Sequence, residues 1–294
     1  MVARQGAAVD YLAGNGNEAR GWYGFPTMMQ TARPVGTLLR EWRQRRRLTQ
    51  LDLALDADIS PRHLSFVETG RAQPSREMLL HLVEELEIPL RERNTLLVAA
   101  GYAPMFGERR LDDVALAKAR EAIDLVLEAQ KPFPAFALDR HWNIAASNGA
   151  LPELYEGVAE ELLQPPVNAM RLSLHPRGTA PKIENLGEWR AHLIARLRKQ
   201  VDMTADLVLK DLLEEVSAYP APEVSHADLE HAVLVPLKVR TSLGLLSFMS
   251  TTTVFGTPVD VTLSELAIEM FFPTDQATAE AVRRIALTPG RSDP

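Results

Sequence analysis

The 294-residue chain contains no cysteine, which excludes a disulfide scaffold, a thiolate nucleophile and any metal site built on thiolates. That absence is compatible with a reducing compartment, and a cytoplasmic location is expected. Nowhere do about 18 uncharged apolar residues run together, so no membrane span is predicted. No apolar stretch follows a basic start at the N-terminus, so no signal peptide is predicted either. The signatures G-x-S-x-G, the P-loop and H-E-x-x-H are all missing. With no nucleophile–base pair and no metal-binding set to nominate, no enzyme and no catalytic residue are expected.

Net positive charge is missing too: the formal charge is −7. Within residues 33–76, however, nine arginines face five acids. One compact basic segment on an acidic protein points to an anionic partner for that segment.

From Pro34 the pattern is helical, with Val35, Leu38, Leu39 and Trp42 at i, i+3, i+4, i+7. Thr49 and Asp52 have capping-box spacing, Ser60 is an N-cap with Pro61 at N1, and Gly70 closes that helix. Two further helices end at Pro89 and Gly101. Five short helices in about 70 residues predict a compact all-α domain. The stretch "YAPMFGERRLDD" is a linker. Beyond it comes a helix over 113–130, then the short strands "AFALD" and "NIAAS", then two longer helices. "HAVLVPLKVR", "GLLSFMSTTTVFG" and "VTLSELAIEMFF" read as consecutive antiparallel strands before a last helix over 275–287. The second domain is therefore α+β.

The helices at 49–56 and 60–68 are joined by three or four residues, which forces a steep crossing and makes the second project from the domain. A projecting helix fits the major groove of DNA, where its first turn reaches base edges. Ser60, Pro61, Arg62, His63 and Ser65 lie at or near that turn. Arg62 suits bidentate contact to guanine, and Gln50 suits a phosphate. Arg43, Arg46, Arg47 and Arg71 are candidate phosphate clamps. An ordinary solvated face would also carry an Arg-His pair; the preceding arginine run and the short turn favour DNA. Leu51, Leu55 and Phe66 sit where such a domain is usually polar. They either bury against the fifth helix or meet the second domain or a second subunit.

"LTQLDLALDADISPRHLSFVETGRAQPS" resembles the XRE-type (Cro/repressor-like) helix-turn-helix, with Asp58 where glycine is usual. More narrowly, "SPRHLSFVETGRAQPSREML", "PLRERNTLLVAAGYAP", "NAMRLSLHP" and "GEWRAHLIARLR" resemble regulators that carry an MmyB-like ligand-binding domain. Periodicity and composition divide the chain into a tail at 1–33, a five-helix domain at 34–101, a linker at 102–112 and a second domain at 113–288; the resemblance, over about residues 34–275, implies that the two domains are lambda-repressor-like and PAS-like. It implies a buried, elongated pocket suited to a fatty acyl chain. The matching positions are Asn168, Arg171, His175 and Trp189; Arg171 is either a carboxylate partner at the mouth or a structural ion pair. Phe136, Trp142, Leu193 and Phe248 complete the expected wall beneath a curved sheet covered by helices on one side.

These readings predict a transcription regulator that binds double-stranded operator DNA, as a homodimer, and an apolar effector, with a fatty acid as candidate. No cofactor, metal or membrane is expected. The competing reading is a protein-docking adaptor whose second domain serves for dimerisation. "GNGNEA" at 14–19 lacks the strand–helix context of a dinucleotide loop, and His226 and His231 read as surface residues.

Overall fold

The computed structural model describes residues 33–222 and 234–287. The tail through residue 32, His226, His231 and the stretch from 288 onward lie outside the described residues.

The first domain comprises α1 (Val35–Arg45), α2 (Gln50–Asp56), α3 (Pro61–Glu68), α4 (Arg76–Glu85) and α5 (Leu90–Ala99). Local chemistry sets each start. The Thr49 hydroxyl accepts from the Asp52 N–H at 3.1 Å while the Thr49 N–H donates to the Asp52 carboxylate at 2.8 Å. Ser60 and Ser75 cap α3 and α4 with a single bond each, their hydroxyls accepting from the His63 and Met78 N–H groups. Asp58 takes the left-handed conformation (φ +48°) between α2 and α3, a turn that a short acidic side chain tolerates. Leu39, Leu53, Leu64, Leu79, Leu82 and Leu97 are fully buried and form the core. Burial of each contributes about 1.5–3 kcal/mol. Gly36 is required by packing: a Cβ there would lie 2.2 Å from the Val67 carbonyl oxygen of α3.

The second domain opens with a 3-10 turn (Val114–Leu116) and α6 (Ala117–Ala129). The hairpin β1 (Ala135–Leu138)–β2 (Ile144–Ser147) leads to α7 (Ala169–Leu174), α8 (Leu186–Thr204) and α9 (Leu207–Ser217). Then follow β3 (Leu237–Thr241), β4 (Gly244–Val254), α10 (Val261–Ser264), β5 (Ala267–Pro273) and α11 (Gln276–Ala286). The five strands form one antiparallel sheet in the order β2-β1-β5-β4-β3, a PAS-like arrangement.

Two details depart from the sequence reading. "VTLSELAIEMFF" is not one strand: Asp260 accepts from the Thr262 N–H at 3.0 Å and caps α10, so β5 begins only at Ala267. Helices also lie on both faces of the sheet. Ala135, Ala137 and Ala146 point away from the pocket, and these small side chains let α6 pack closely through Ile123 and Leu127. Phe136, Leu138 and Ile144 alternate to the other face, where α8 and α9 close a larger core with Trp142, Trp189, Leu193 and Phe248.

Candidate nucleic-acid interface and ligand pocket

On α3 the apolar positions Leu64 and Val67 turn inward, which leaves Pro61 and Arg62 exposed and His63 and Ser65 half-buried at the outer surface. The Arg62 guanidinium stands 5.4 Å from the centre of the Phe66 ring, and Arg71 flanks the same ring at 5.9 Å. A half-buried aromatic thus aligns two exposed cations beside the first turn of α3. Arg47 is exposed as well, in a left-handed conformation after α1 (φ +58°).

Three other basic-segment residues point elsewhere. Arg43 is buried and forms a bidentate pair with Glu68, at 2.6 and 2.9 Å, while donating to the Leu48 carbonyl at 2.8 Å. The Gln50 amide donates to the same Glu68 at 2.7 Å. Arg46 donates to the Leu86 and Glu87 carbonyls at 2.8 and 3.0 Å, closing the C-terminus of α4. The side chains of Arg43, Arg46 and Gln50 therefore tie the helices together, whereas Arg47, Arg62 and Arg71 face outward. Leu51 and Leu55 are 55% and 69% exposed, so they do not bury against α5.

The larger core of the second domain holds a cavity of about 100 Å³ that opens to the surface. Of the residues expected to bind the ligand, Phe136, Trp142, Trp189, Leu193 and Phe248 line it. Asn168, Arg171 and His175 do not. Asn168 accepts from the Met170 and Arg171 N–H groups and donates to the His141 carbonyl at 2.8 Å, so it fastens α7 to the β1–β2 hairpin. Arg171 is bidentate to Glu215, with bonds of 2.7–3.1 Å, and this neighbour holds the Glu215 carboxyl below its usual range. The His175 Nδ1 accepts from the Arg177 N–H, and its ring sits edge-on to Tyr219 at 5.0 Å.

Residues 119–285, more than half of the 294, match the MmyB-like transcription regulator ligand binding domain, and residues 39–93 match the helix-turn-helix family. The chain belongs to the MmyB-like family. It is a DNA-binding transcription regulator with a ligand-binding domain, and the two matched families are binding rather than enzymatic domains. No curated protein matches the chain. Among the described residues no helix is long and apolar enough to cross a membrane, and no cluster of three metal-binding side chains occurs.

Within this MmyB-like domain the wall includes residues outside the expected set, among them Tyr155, Met170, Ser173 and Phe271. Only Phe271 had a signal, since its aromatic ring lies two residues after Glu269 on one face of β5. Tyr155 is buried, and its hydroxyl has no hydrogen-bond partner among the described residues. Burial pushes this phenol well above its usual range, so it stays neutral. A buried unpaired hydroxyl costs about 1–3 kcal/mol. Glu269 is the charged side chain in the wall. Burial pushes its carboxyl up, but Arg196, bidentate at 2.8 Å, and Thr252 at 3.0 Å outweigh that and hold it below its usual range.

The hairpin that contributes Trp142 to the pocket wall is also linked to the DNA-binding domain. At the tip of the β1–β2 hairpin, Trp142 adopts φ +67°, a strained value for a bulky residue. Asp139 fixes the tip by accepting from the His141 and Asn143 N–H groups at 2.7 and 2.9 Å, and the Trp142 indole donates to Gln200 at 2.7 Å. The adjacent Arg140 lies 3.5 Å from Asp206 and 3.7 Å from Glu265. Glu265 in turn accepts a bidentate pair from Arg91 of α5, at 2.7 and 2.8 Å. Asn94 of α5 adds bonds to the Met105 N–H and to the backbone of Phe106 in the connecting segment.

Proposed function

We propose that the chain is a ligand-responsive, cytoplasmic transcription regulator that binds a two-fold operator as a homodimer and holds a small apolar effector, a fatty acid, in the pocket of its second domain. The continuous path from that pocket to the DNA-binding domain carries this reading. Trp142 lines the cavity, the neighbouring Arg140 approaches Glu265, and Glu265 holds Arg91. A ligand that moves the hairpin tip therefore acts directly on the ion pair that orients α5.

In this reading α3 enters the major groove. Arg62, with His63 and Ser65, reads base edges, Ser60 and Pro61 approach the backbone at the helix start, and Arg47 and Arg71 contact phosphates. The exposed pair Leu51 and Leu55 is available to a second subunit. Apolar contact suffices for the acyl chain, since each buried methylene contributes about 0.8 kcal/mol before ordering costs.

Selection from a random duplex library, followed by titration of the enriched sequence, tests the DNA role. The expected result is a motif with two-fold symmetry and half-sites about one helical turn apart. Arg62→Ala should weaken binding by about 1–3 kcal/mol and relax one base position, with the thermal midpoint unchanged. A protein-docking adaptor would return no enriched motif and tolerate Arg62→Ala.

A further inference from the structure

The pocket is apolar almost throughout, and its polar exceptions are specific. The Ser173 hydroxyl accepts from the Trp189 indole N–H at 3.0 Å, which leaves its own proton for a further acceptor. Thr179 spends its hydroxyl proton on the Leu172 and Ser173 carbonyls. Glu269 is matched by Arg196. Tyr155 alone combines a place in the wall, burial above nine-tenths and a hydroxyl with no partner among the described residues. A folded core that encloses such a donor without an internal acceptor leaves it for a group that arrives with the ligand.

The charge inventory says what that group is. Among the described residues the wall contains no lysine, arginine or histidine. Arg196 is committed to Glu269, Arg171 to Glu215, and the Lys182 ammonium donates to the Leu154 carbonyl at 3.3 Å from outside the wall. A carboxylate taken into this interior would meet a carboxylate, Glu269, and no cation of the described wall. An uncharged oxygen avoids that cost and still accepts from a phenol.

We propose that the Tyr155 side of the cavity is a specificity subsite for an uncharged oxygen acceptor on an otherwise apolar ligand, a hydroxyl, ketone, ester or protonated carboxyl, with the Tyr155 hydroxyl as donor and Ser173 as a second polar neighbour. The inference rests on the cavity being the effector site. A fatty acid meets this condition with its carboxyl protonated; an acyl chain carrying a hydroxyl or ketone meets it at any pH.

The test uses the full chain with three octyl probes, 1-octanol, octanoate and 1-chlorooctane, read by tryptophan fluorescence because Trp142 and Trp189 stand in the wall. At pH 7, 1-octanol should bind about three- to tenfold more tightly than 1-chlorooctane, the range of one net hydrogen bond, and octanoate should bind less tightly than 1-octanol. In Tyr155→Phe the margin over 1-chlorooctane should vanish, with 1-chlorooctane affinity kept within about twofold. The unliganded variant should also melt no lower than the parent, since it loses an unsatisfied hydroxyl. A margin that survives in Tyr155→Phe would overturn the proposal. So would a lower melting temperature for the unliganded variant, because the hydroxyl would then be holding the fold. If none of the three probes binds, the effector reading of the cavity fails and the subsite with it.

Discussion

Glu68 shows how much one side chain can organise. It accepts both Arg43 bonds and the Gln50 amide, so one buried carboxylate joins α1, α2 and α3. Glu68→Gln would strand the Arg43 guanidinium in the core, and a loss of about 3–5 kcal/mol in urea denaturation is expected. Joint replacement of Arg43 and Glu68 by Met and Leu should recover most of that loss. At this scale the sequence was only partly legible. Thr49, Ser60, Pro61 and Asp58 declare their roles because caps and left-handed turns are local. Arg43 reads as a surface cation because the partner that buries it lies 25 positions away. Tyr155 was unreadable for the same reason, since its isolation is a property of the folded wall.

Among the elements, the helices of the first domain and the strands β1, β2 and β4 were read within a few residues, whereas the starts of β3 and β5 were not. A turn of helix at α10 hides inside an apolar run because its signal is one cap, Asp260. The β1–β2 hairpin was legible as two strands, but not as the place where pocket and junction meet. Its tip depends on pH through Asp206, which caps α9 and pairs with His141 at 2.9 Å. Burial pushes the Asp206 carboxyl up, but His141 and Arg140 overcome this and hold it at about 2. A carboxyl depressed in the folded state stabilises the fold above its unfolded value near 3.9, and that contribution is lost as the pH falls from about 4 to about 2. Asp206→Asn keeps the cap acceptor and should lower stability by about 2 kcal/mol at pH 7, a deficit that closes as the pH approaches 2. Thermal melts of both proteins across pH 2–7 check this; a deficit independent of pH would assign the loss to packing.

For the whole molecule, the two domains are joined by charge as well as by chain. Burial lowers the Arg91 guanidinium, but Glu265 and Glu108 more than offset this and raise it above its usual range. Half-buried Glu92 beside it is pushed up by burial, which Arg140 and Arg91 only partly offset. Domain order and class followed from periodicity and motif; the junction did not, because Arg91 and Glu265 lie 174 residues apart. Coupling between the pocket and the DNA-binding domain should run through this junction, typically at 1–3 kcal/mol, or about 5–150-fold in affinity. Its direct measure is the affinity of the selected duplex by fluorescence anisotropy, with and without saturating 1-octanol, in the parent chain and in Glu265→Gln. A shift within that range in the parent, with Glu265→Gln still binding both DNA and 1-octanol but showing little shift, is the predicted result. Identical duplex affinities with and without 1-octanol in the parent would contradict it.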